Sequence, residues 1–133
     1  MIALDTSAIV AVAFNEDDGM AISETIAKTT PAFVGTPTIV EVGTVLARLD
    51  GDVADRFLTT FLARRSVRTV DFDTRMAELA RAAYRRYGKG GGHPAQLNFG
   101  DSFSYAVAKY FDVPLLFKGE DFVHTDVRSA LAP

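Results

Sequence analysis

Four acidic residues stand where the neighbouring residues are mostly apolar or small: Asp5, Glu41, Asp101 and Asp121. Two of them follow apolar runs, 2–4 and 115–117, that are typical of buried strands. Carboxylates gathered in one place repel one another and raise one another's pKa, and a cation removes that penalty. Oxygen ligands without His or Cys suit Mg²⁺ or Mn²⁺, and such ions can polarise a phosphate oxygen and activate water. If the fold brings these side chains together, the sequence predicts a divalent-metal site that hydrolyses phosphate esters.

The elements that would position these acids alternate between strands and helices. Strand patterns occupy 2–4, 32–34, 67–72 and 115–117, and helix patterns occupy 7–14, 17–29, 36–49, 52–65, 74–87 and 99–111, with a short element over 125–131. This alternation predicts one α/β domain over 1–133, with a parallel sheet between two layers of helices. Asp5 and Asp121 then lie at the carboxyl edge of the sheet, where open α/β folds bind ligands. Glu41 and Asp101 lie in the opening turns of helices that we expect to enter from the same edge.

Each acid also has an ordinary interpretation. Asp5 suits an Asx turn, and Asp121 suits any polar turn. Glu41 and Asp101 suit the first turn of a helix, where the dipole favours a negative charge. Any one acid is explained well in this way. Four acids at strand ends and helix starts favour a shared site.

Several polar residues near these acids have open roles. Thr6 and Ser7 are expected either to cap the first helix or to donate a hydrogen bond to a neighbouring carboxylate. Asp126 either joins the acidic cluster or caps the last element. His93, in a glycine-rich loop, and His124 are expected at the surface.

Composition excludes several classes of site. The chain has 133 residues and no Cys, which excludes disulfides, a thiolate nucleophile and Cys-ligated metal centres. No apolar run approaches the roughly 20 residues of a membrane span, and the first residues lack the basic segment of a secretory signal. We therefore expect a cytoplasmic protein that does not enter a membrane. The net charge of −3 argues against nucleic acid, but residues 64–89 carry eight basic and three acidic side chains.

Three stretches, together with Glu41, carry a resemblance to a known family: Leu-Asp-Thr-Ser-Ala at 4–8, Leu-Asn-Phe-Gly-Asp-Ser-Phe-Ser-Tyr-Ala at 97–106 and Leu-Leu-Phe-Lys-Gly-Glu-Asp-Phe at 115–122. The chain resembles PIN-domain proteins, and more narrowly the VapC-type toxins of bacterial type II toxin–antitoxin pairs. The resemblance implies a Mg²⁺-dependent endoribonuclease with a parallel sheet of about five strands. It implies that Asp5, Glu41, Asp101 and Asp121 form an acidic quartet, with Thr6 as a supporting residue. Asp126 matches a frequent neighbour of the fourth acid.

The same resemblance implies particular partners. It implies a homodimer, an RNA substrate and a cognate VapB-like antitoxin. The antitoxin is expected to cover the acidic pocket or to insert an Arg into it, because Arg pairs bidentately with carboxylates. RNA is a polyanion, so an acidic site needs metal and basic residues beside it. Our hypothesis is that Arg85, Arg86 and Lys89 hold the RNA backbone.

Two alternatives stay open at this point. A phosphotransfer receiver domain would use Asp71 or Asp73 as its phosphate acceptor, with Lys118 beside it. A non-catalytic binding module would use the same four acids to pair with Arg residues of a partner. A stable acyl-phosphate on the protein would indicate a receiver domain. Absence of metal-dependent RNA cleavage would indicate a binding module.

Overall fold

The fold is built on a four-stranded parallel sheet, described by a computed structural model for residues 1–131. The strands are β1 (Ile2–Leu4), β2 (Ala32–Gly35), β3 (Val67–Val70) and β4 (Leu115–Leu116), in the order β3-β2-β1-β4. The predicted α/β fold is therefore confirmed, but the expected number of about five strands is too high for the described residues. At the free side of β4 only a single bridge joins Leu115 to Ser129. Because β4 has two residues, a passing segment can pair with it only briefly.

Six helices connect the strands: α1 (Thr6–Ala13), α2 (Gly19–Lys28), α3 (Thr36–Leu46), α4 (Gly51–Leu62), α5 (Thr74–Tyr87) and α6 (Phe99–Phe111). The predicted helices are all present, although α3 ends at Leu46 rather than Leu49 and β3 ends at Val70 rather than Phe72. The prediction that Thr6 or Ser7 caps α1 is wrong. Asp5 is the N-cap, because its side chain accepts the backbone N–H of Ser7.

The sheet has a separate apolar core on each face. Side chains along a strand point alternately to the two faces. Ala3 and Leu115 therefore pack with α5 and α6, whereas Leu4, Val34 and Leu116 pack with helices on the opposite face. The result is the expected three-layer arrangement, in which β1 is fully buried between the layers.

The strand order creates a crevice at the end of β1. β2 pairs with one side of β1 and β4 with the other, both in parallel. The chain therefore runs outward from β1 through β2 to β3 and then returns to the opposite side of β1 at β4. Ligands bind at such switch points in open α/β sheets, outside the carboxyl ends of the strands. Asp5 is the residue that follows β1 and therefore stands at this point. Within residues 1–131, no helix combines the length and the apolar character that crossing a membrane requires.

Candidate metal centre

Asp5 is a buried carboxylate at the centre of the crevice, with only 4% of its surface exposed. Its Oδ2 accepts hydrogen bonds from the backbone N–H of Ser7 at 3.0 Å and from the Ser7 hydroxyl at 2.6 Å. Its Oδ1 is buried and has no hydrogen-bond partner among the described residues. Burial raises the pKa of Asp5, against the opposing effect of the nearby Ser104 and Ser7 hydroxyls. A buried carboxylate oxygen without a partner is costly, and a bound cation removes that cost.

The two serine hydroxyls near Asp5 behave differently. Ser104 lies beside the carboxylate but forms no hydrogen bond with Oδ1, and its Oγ is 3.4 Å from Thr38 Oγ1. Ser7 donates to Asp5 and also accepts the backbone N–H of Lys118 at 2.9 Å. Ser7 thus joins the end of β4 to the start of α1 and orients Asp5. The sequence indicated a hydroxyl bound to a carboxylate, but the link to Lys118 required the fold.

Asp101 is the second buried acid, 6% exposed, in the first turn of α6. It forms a capping box with Asn98, in which Asp101 Oδ2 accepts the Asn98 N–H at 3.1 Å. Burial raises the pKa of Asp101 to about 7; the Asn98 N–H opposes this, and the charges of Asp5, Asp121 and Glu41 add to it. The fold therefore brings the four predicted acids within electrostatic reach of one another. Without a cation, Asp101 therefore holds a proton at higher pH than an ordinary aspartate does.

Glu41 reaches the same place from α3. Its Oε1 accepts a hydrogen bond from the Thr6 hydroxyl, which links the carboxylate to the first residue of α1. Its carboxylate also lies against the backbone of α6, because a Cβ at Gly100 would fall 1.8 Å from Glu41 Oε2. Gly100 is thus needed for Glu41 to approach Asp101. Gly100 was not predicted from the sequence, where its only signal was a glycine in the first turn of a helix.

Asp121 is exposed, in the turn that follows β4, and its charge acts on Asp101. As they stand, no three Asp, Glu, His or Cys side chains within residues 1–131 are close enough to hold a metal ion directly. These two findings are compatible, because charges interact over several ångströms whereas a Mg²⁺–oxygen bond is about 2.1 Å long. The four acids thus form an open cluster, here called the acidic pocket, rather than a closed cage. Mg²⁺ suits such an open cluster, since it typically binds one or two carboxylates and keeps several waters.

Asp126 and the two histidines lie in other surroundings. Asp126 accepts hydrogen bonds from the Tyr105 hydroxyl at 2.5 Å and from Lys109 Nζ at 3.1 Å. Nδ1 of His93 accepts the Ala95 N–H at 3.0 Å, which orders the glycine-rich loop. His124 is exposed. Asp126 therefore belongs to a cluster of its own, adjacent to the acidic pocket along α6.

Arg85, Arg86 and Lys89 do not form one surface. Arg85 lines a cavity of about 450 Å³ between α5 and α6, together with Arg81 and Phe99. Arg86 lies 4.0 Å from Asp126, and Lys89 is exposed in the loop after α5. Consecutive residues on a helix point about 100° apart, which explains why Arg85 and Arg86 face different neighbours.

The residues of the receiver alternative are also dispersed. β3 is an edge strand two positions from β1, so residues after it lie roughly 10 Å from Asp5. Asp73 caps α5 by accepting the Met76 N–H at 2.9 Å. Lys118 binds Glu16 at 2.7 Å and Asp18 at 3.3 Å. The geometry favours the acidic pocket over a phosphoacceptor site.

Comparison with known proteins agrees with this geometry. The sequence profile of the PIN domain matches residues 2–128. This chain belongs to the PIN-domain family. Within that family, it is 39% identical over 127 residues to Ribonuclease VapC42 of Mycobacterium tuberculosis, an alignment that covers 96% of this chain and 97% of the relative. The resemblance to VapC-type proteins is thereby confirmed.

Two solved structures share the PIN fold. One is Mycobacterium tuberculosis VapC20, a toxin described as cleaving the sarcin-ricin loop, with a TM-score of 0.77, 18% identity and 96% coverage of each chain. The other is VapBC2 of Rickettsia felis bound to a DNA fragment from its promoter, with a TM-score of 0.68, 18% identity and coverage of 97% of this chain and 96% of that one. At these identities the two structures support the fold.

Proposed function

We propose that this PIN domain is the endoribonuclease toxin of a toxin–antitoxin pair, and that it hydrolyses RNA phosphodiester bonds with Mg²⁺ at Asp5, Glu41, Asp101 and Asp121. Membership of the VapC ribonucleases supports the ribonuclease activity. The buried Asp5 Oδ1, which has no partner among the described residues, is the observation that supports metal binding at this place. PIN-domain nucleases in general depend on divalent metals. We propose Mg²⁺ as the ion in this protein, with Mn²⁺ able to replace it, because all the candidate ligands are oxygens.

The residues of the pocket have different proposed roles. Asp5 and Asp101, both buried, would hold the cation, and Glu41 and Asp121 would complete its surroundings. Ser7 orients Asp5 and Thr6 orients Glu41 through their hydroxyls. When bound, a divalent cation supplies polarisation of the phosphoryl oxygen and activation of water. Asp5 and Asp101 are buried, so water screens their negative charges poorly. A bound cation would therefore stabilise the pocket strongly.

Purified protein with total RNA tests this function. Wild type should cleave RNA with Mg²⁺ or Mn²⁺ and stop when EDTA removes the metal, and Asp5→Asn and Asp101→Asn should be inactive. Asp112→Asn is the matched control, since it makes the same change at the other end of α6. Equal cleavage by wild type and Asp101→Asn would exclude the proposed site. No cleavage by wild type would contradict the nuclease function and favour a binding module.

We further propose that RNA approaches the pocket past Arg85, Arg86 and Lys89. The cavity that Arg85 lines includes Phe99 and Ser102, which flank Asp101 in sequence, so a phosphate at Arg85 would lie close to the acids. Removal of the three charges should weaken RNA binding and make it less dependent on salt. The slope of log affinity against log salt concentration should fall in magnitude by about 0.7 for each lost phosphate contact. Unchanged affinity and slope would exclude these three residues as RNA contacts.

An antitoxin is the partner that membership of the VapC family supports. We propose that it inhibits by placing an Arg among the four carboxylates, where its guanidinium would take the place of the divalent cation. Addition of the protein encoded beside this gene should then stop cleavage and compete with Mn²⁺ binding. Inhibition without such competition would place the inhibitory contact elsewhere. We also propose that the complex acts in the cytoplasm, where RNA is available.

A homodimer is the last part of the proposal. Val40 and Phe99, the neighbours of Glu41 and Gly100, are 67% and 71% exposed, and large exposed apolar side chains beside a site are typical of an interface. Light scattering should give twice the mass of one chain, and serine at both positions should give the monomer. A monomeric wild type would contradict the dimer.

A further inference from the structure

The turn that carries Asp121 is attached to the rest of the protein at both ends. At its start, the Lys118 N–H donates to Ser7 Oγ at 2.9 Å, and Lys118 Nζ lies 2.7 Å from Glu16. In its middle, Phe122 is buried and packs against Phe117 with the ring centroids 5.1 Å apart. Asp121 itself is exposed. Its position relative to the other acids therefore depends on how the two ends of the turn are held.

The far end of the turn is held by Asp126. Both oxygens of this carboxylate bind α6: Oδ1 accepts the Tyr105 hydroxyl at 2.5 Å, and Oδ2 accepts Lys109 Nζ at 3.1 Å. Arg86 of α5 adds a longer contact at 4.0 Å. Partial burial works to raise the pKa of Asp126, but the hydrogen bonds from Tyr105 and Lys109 outweigh it and lower the pKa. Asp126 is therefore ionised, and hydrogen bonds to an ionised acceptor are stronger than neutral ones.

The helix that Asp126 binds is the one that carries Asp101. Asp101, Tyr105 and Lys109 are spaced four residues apart, so they lie along one face of α6. Tyr105 is buried, and burial followed by the Asp126 charge raises its pKa, which keeps its hydroxyl protonated as a donor. The hydroxyl of Tyr105 thus connects the turn of Asp121 to a point one helical turn from Asp101.

We propose that Asp126 is a positioning residue, which holds Asp121 opposite Asp101 through its hydrogen bond with Tyr105. This inference rests on the proposed acidic site and assigns Asp126 a role outside direct metal contact. Its carboxylate oxygens are already engaged by α6, whereas an acid that served as a ligand would present an oxygen to the pocket, as Asp5 does.

Three variants and two measurements test this role. Asp126→Asn removes the charge, Tyr105→Phe removes only the hydroxyl, and the third variant combines both. Binding of Mn²⁺ alone is measured by calorimetry, and backbone hydrogen exchange is followed in residues 118–124. Asp112→Asn is the control, because it changes the same atom types in the exposed pair with Arg128.

Each single variant should weaken Mn²⁺ binding about 10-fold, as is typical when a residue that orients a metal site is changed. The double variant should bind no more weakly than the weaker single variant, because both changes weaken the same connection. Exchange should accelerate in residues 118–124 and not in residues 2–4, while the control matches wild type. Saturating Mg²⁺ should restore most of the cleavage rate in the Tyr105→Phe variant.

Other outcomes overturn the proposal. Weak Mn²⁺ binding by Asp126→Asn together with wild-type binding by Tyr105→Phe would show that Asp126 is itself a ligand. Wild-type binding and exchange in both single variants would show that the turn needs no such connection. If wild type binds no Mn²⁺, the acidic site fails as a metal centre. Exchange in residues 118–124 then still decides whether Asp126 holds the turn.

Discussion

Gly100 offers a way to displace one acid without disturbing the fold. In Gly100→Ala the new methyl carbon would lie 1.8 Å from Glu41 Oε2 and 2.5 Å from Cδ. Since carbon and oxygen need roughly 3.4 Å, the carboxylate of Glu41 must retreat by about 1.5 Å. The atoms that clash belong to the far end of a flexible side chain, so α3 and α6 can keep their places. The substitution therefore tests the position of Glu41 in particular.

The expected change in stability is small. Loss of the Thr6–Glu41 hydrogen bond costs on the order of 1 kcal/mol at this partly exposed position. Replacement of glycine by alanine in a helix recovers about 0.4–1 kcal/mol, because the unfolded chain loses freedom. The two effects nearly cancel, and the melting temperature should stay within about 5 °C of wild type. Activity, in contrast, should fall about 100-fold, the usual cost of a 1 Å misplacement.

The assay compares RNA cleavage in Mg²⁺ with thermal unfolding for wild type, Gly100→Ala and Gly51→Ala. Gly51 is the matched control, because it lies in the first turn of α4 and a Cβ there meets nothing within 4 Å. Gly51→Ala should keep full activity. Full activity in Gly100→Ala would refute the requirement for Glu41 at this place. A loss of more than about 3 kcal/mol of stability would show that α6 itself was displaced.

Three further predictions follow from the burial of the acids. Asp101 has a pKa of about 7 when folded and near 4 when unfolded, so the folded state binds more protons between these values and metal-free stability should fall as pH rises from 4 to 7. Urea unfolding at pH 8 should find Asp101→Asn more stable than wild type by up to about 4 kcal/mol, and a difference that is the same at pH 4 and 8 would contradict this. Mg²⁺ at 100 times its Kd should raise the free energy of unfolding of wild type by about 2.7 kcal/mol. An equal increase in Asp5→Asn would show that the ion binds elsewhere. Ser7→Ala should lower the stability by about 1–2 kcal/mol, because it leaves the Lys118 N–H unpaired; thermal unfolding with Ser129→Ala as control measures this, and unchanged stability would contradict the link.

The local elements were predictable because their signals are local. Apolar runs, a Pro in the first turn of α3 and the Asp73 and Asn98 caps indicated the helices and strands within a few residues. One error, the N-cap of α1, occurred where several local signals compete. Thr6 and Ser7 both suit an N-cap, but Asp5 takes that position, because it also has to stand at the end of β1.

The four acids could also be selected from the sequence, since Asp5, Asp101 and Asp121 stand at strand ends or a helix start and Glu41 stands in an otherwise apolar helix. Their interaction could not be predicted from it. The charges on Asp101 come from residues 96, 60 and 20 positions away in the chain, and only the strand order β2-β1-β4 brings those residues to one crevice. The basic residues show the same limit, because Arg85 and Arg86 are adjacent in sequence but face different neighbours.

The sequence by itself determined the chemistry that is possible here: oxygen ligands, no thiolate, and acids at strand ends and helix starts. Tertiary structure alone decided how those groups are held. It left Asp5 Oδ1 buried without a hydrogen-bond partner among residues 1–131, placed Glu41 against the bare backbone of Gly100, and bound Asp126 to Tyr105 instead of to the pocket. Such outcomes depend on distances between residues far apart in the chain, and packing rather than local propensity determines those distances.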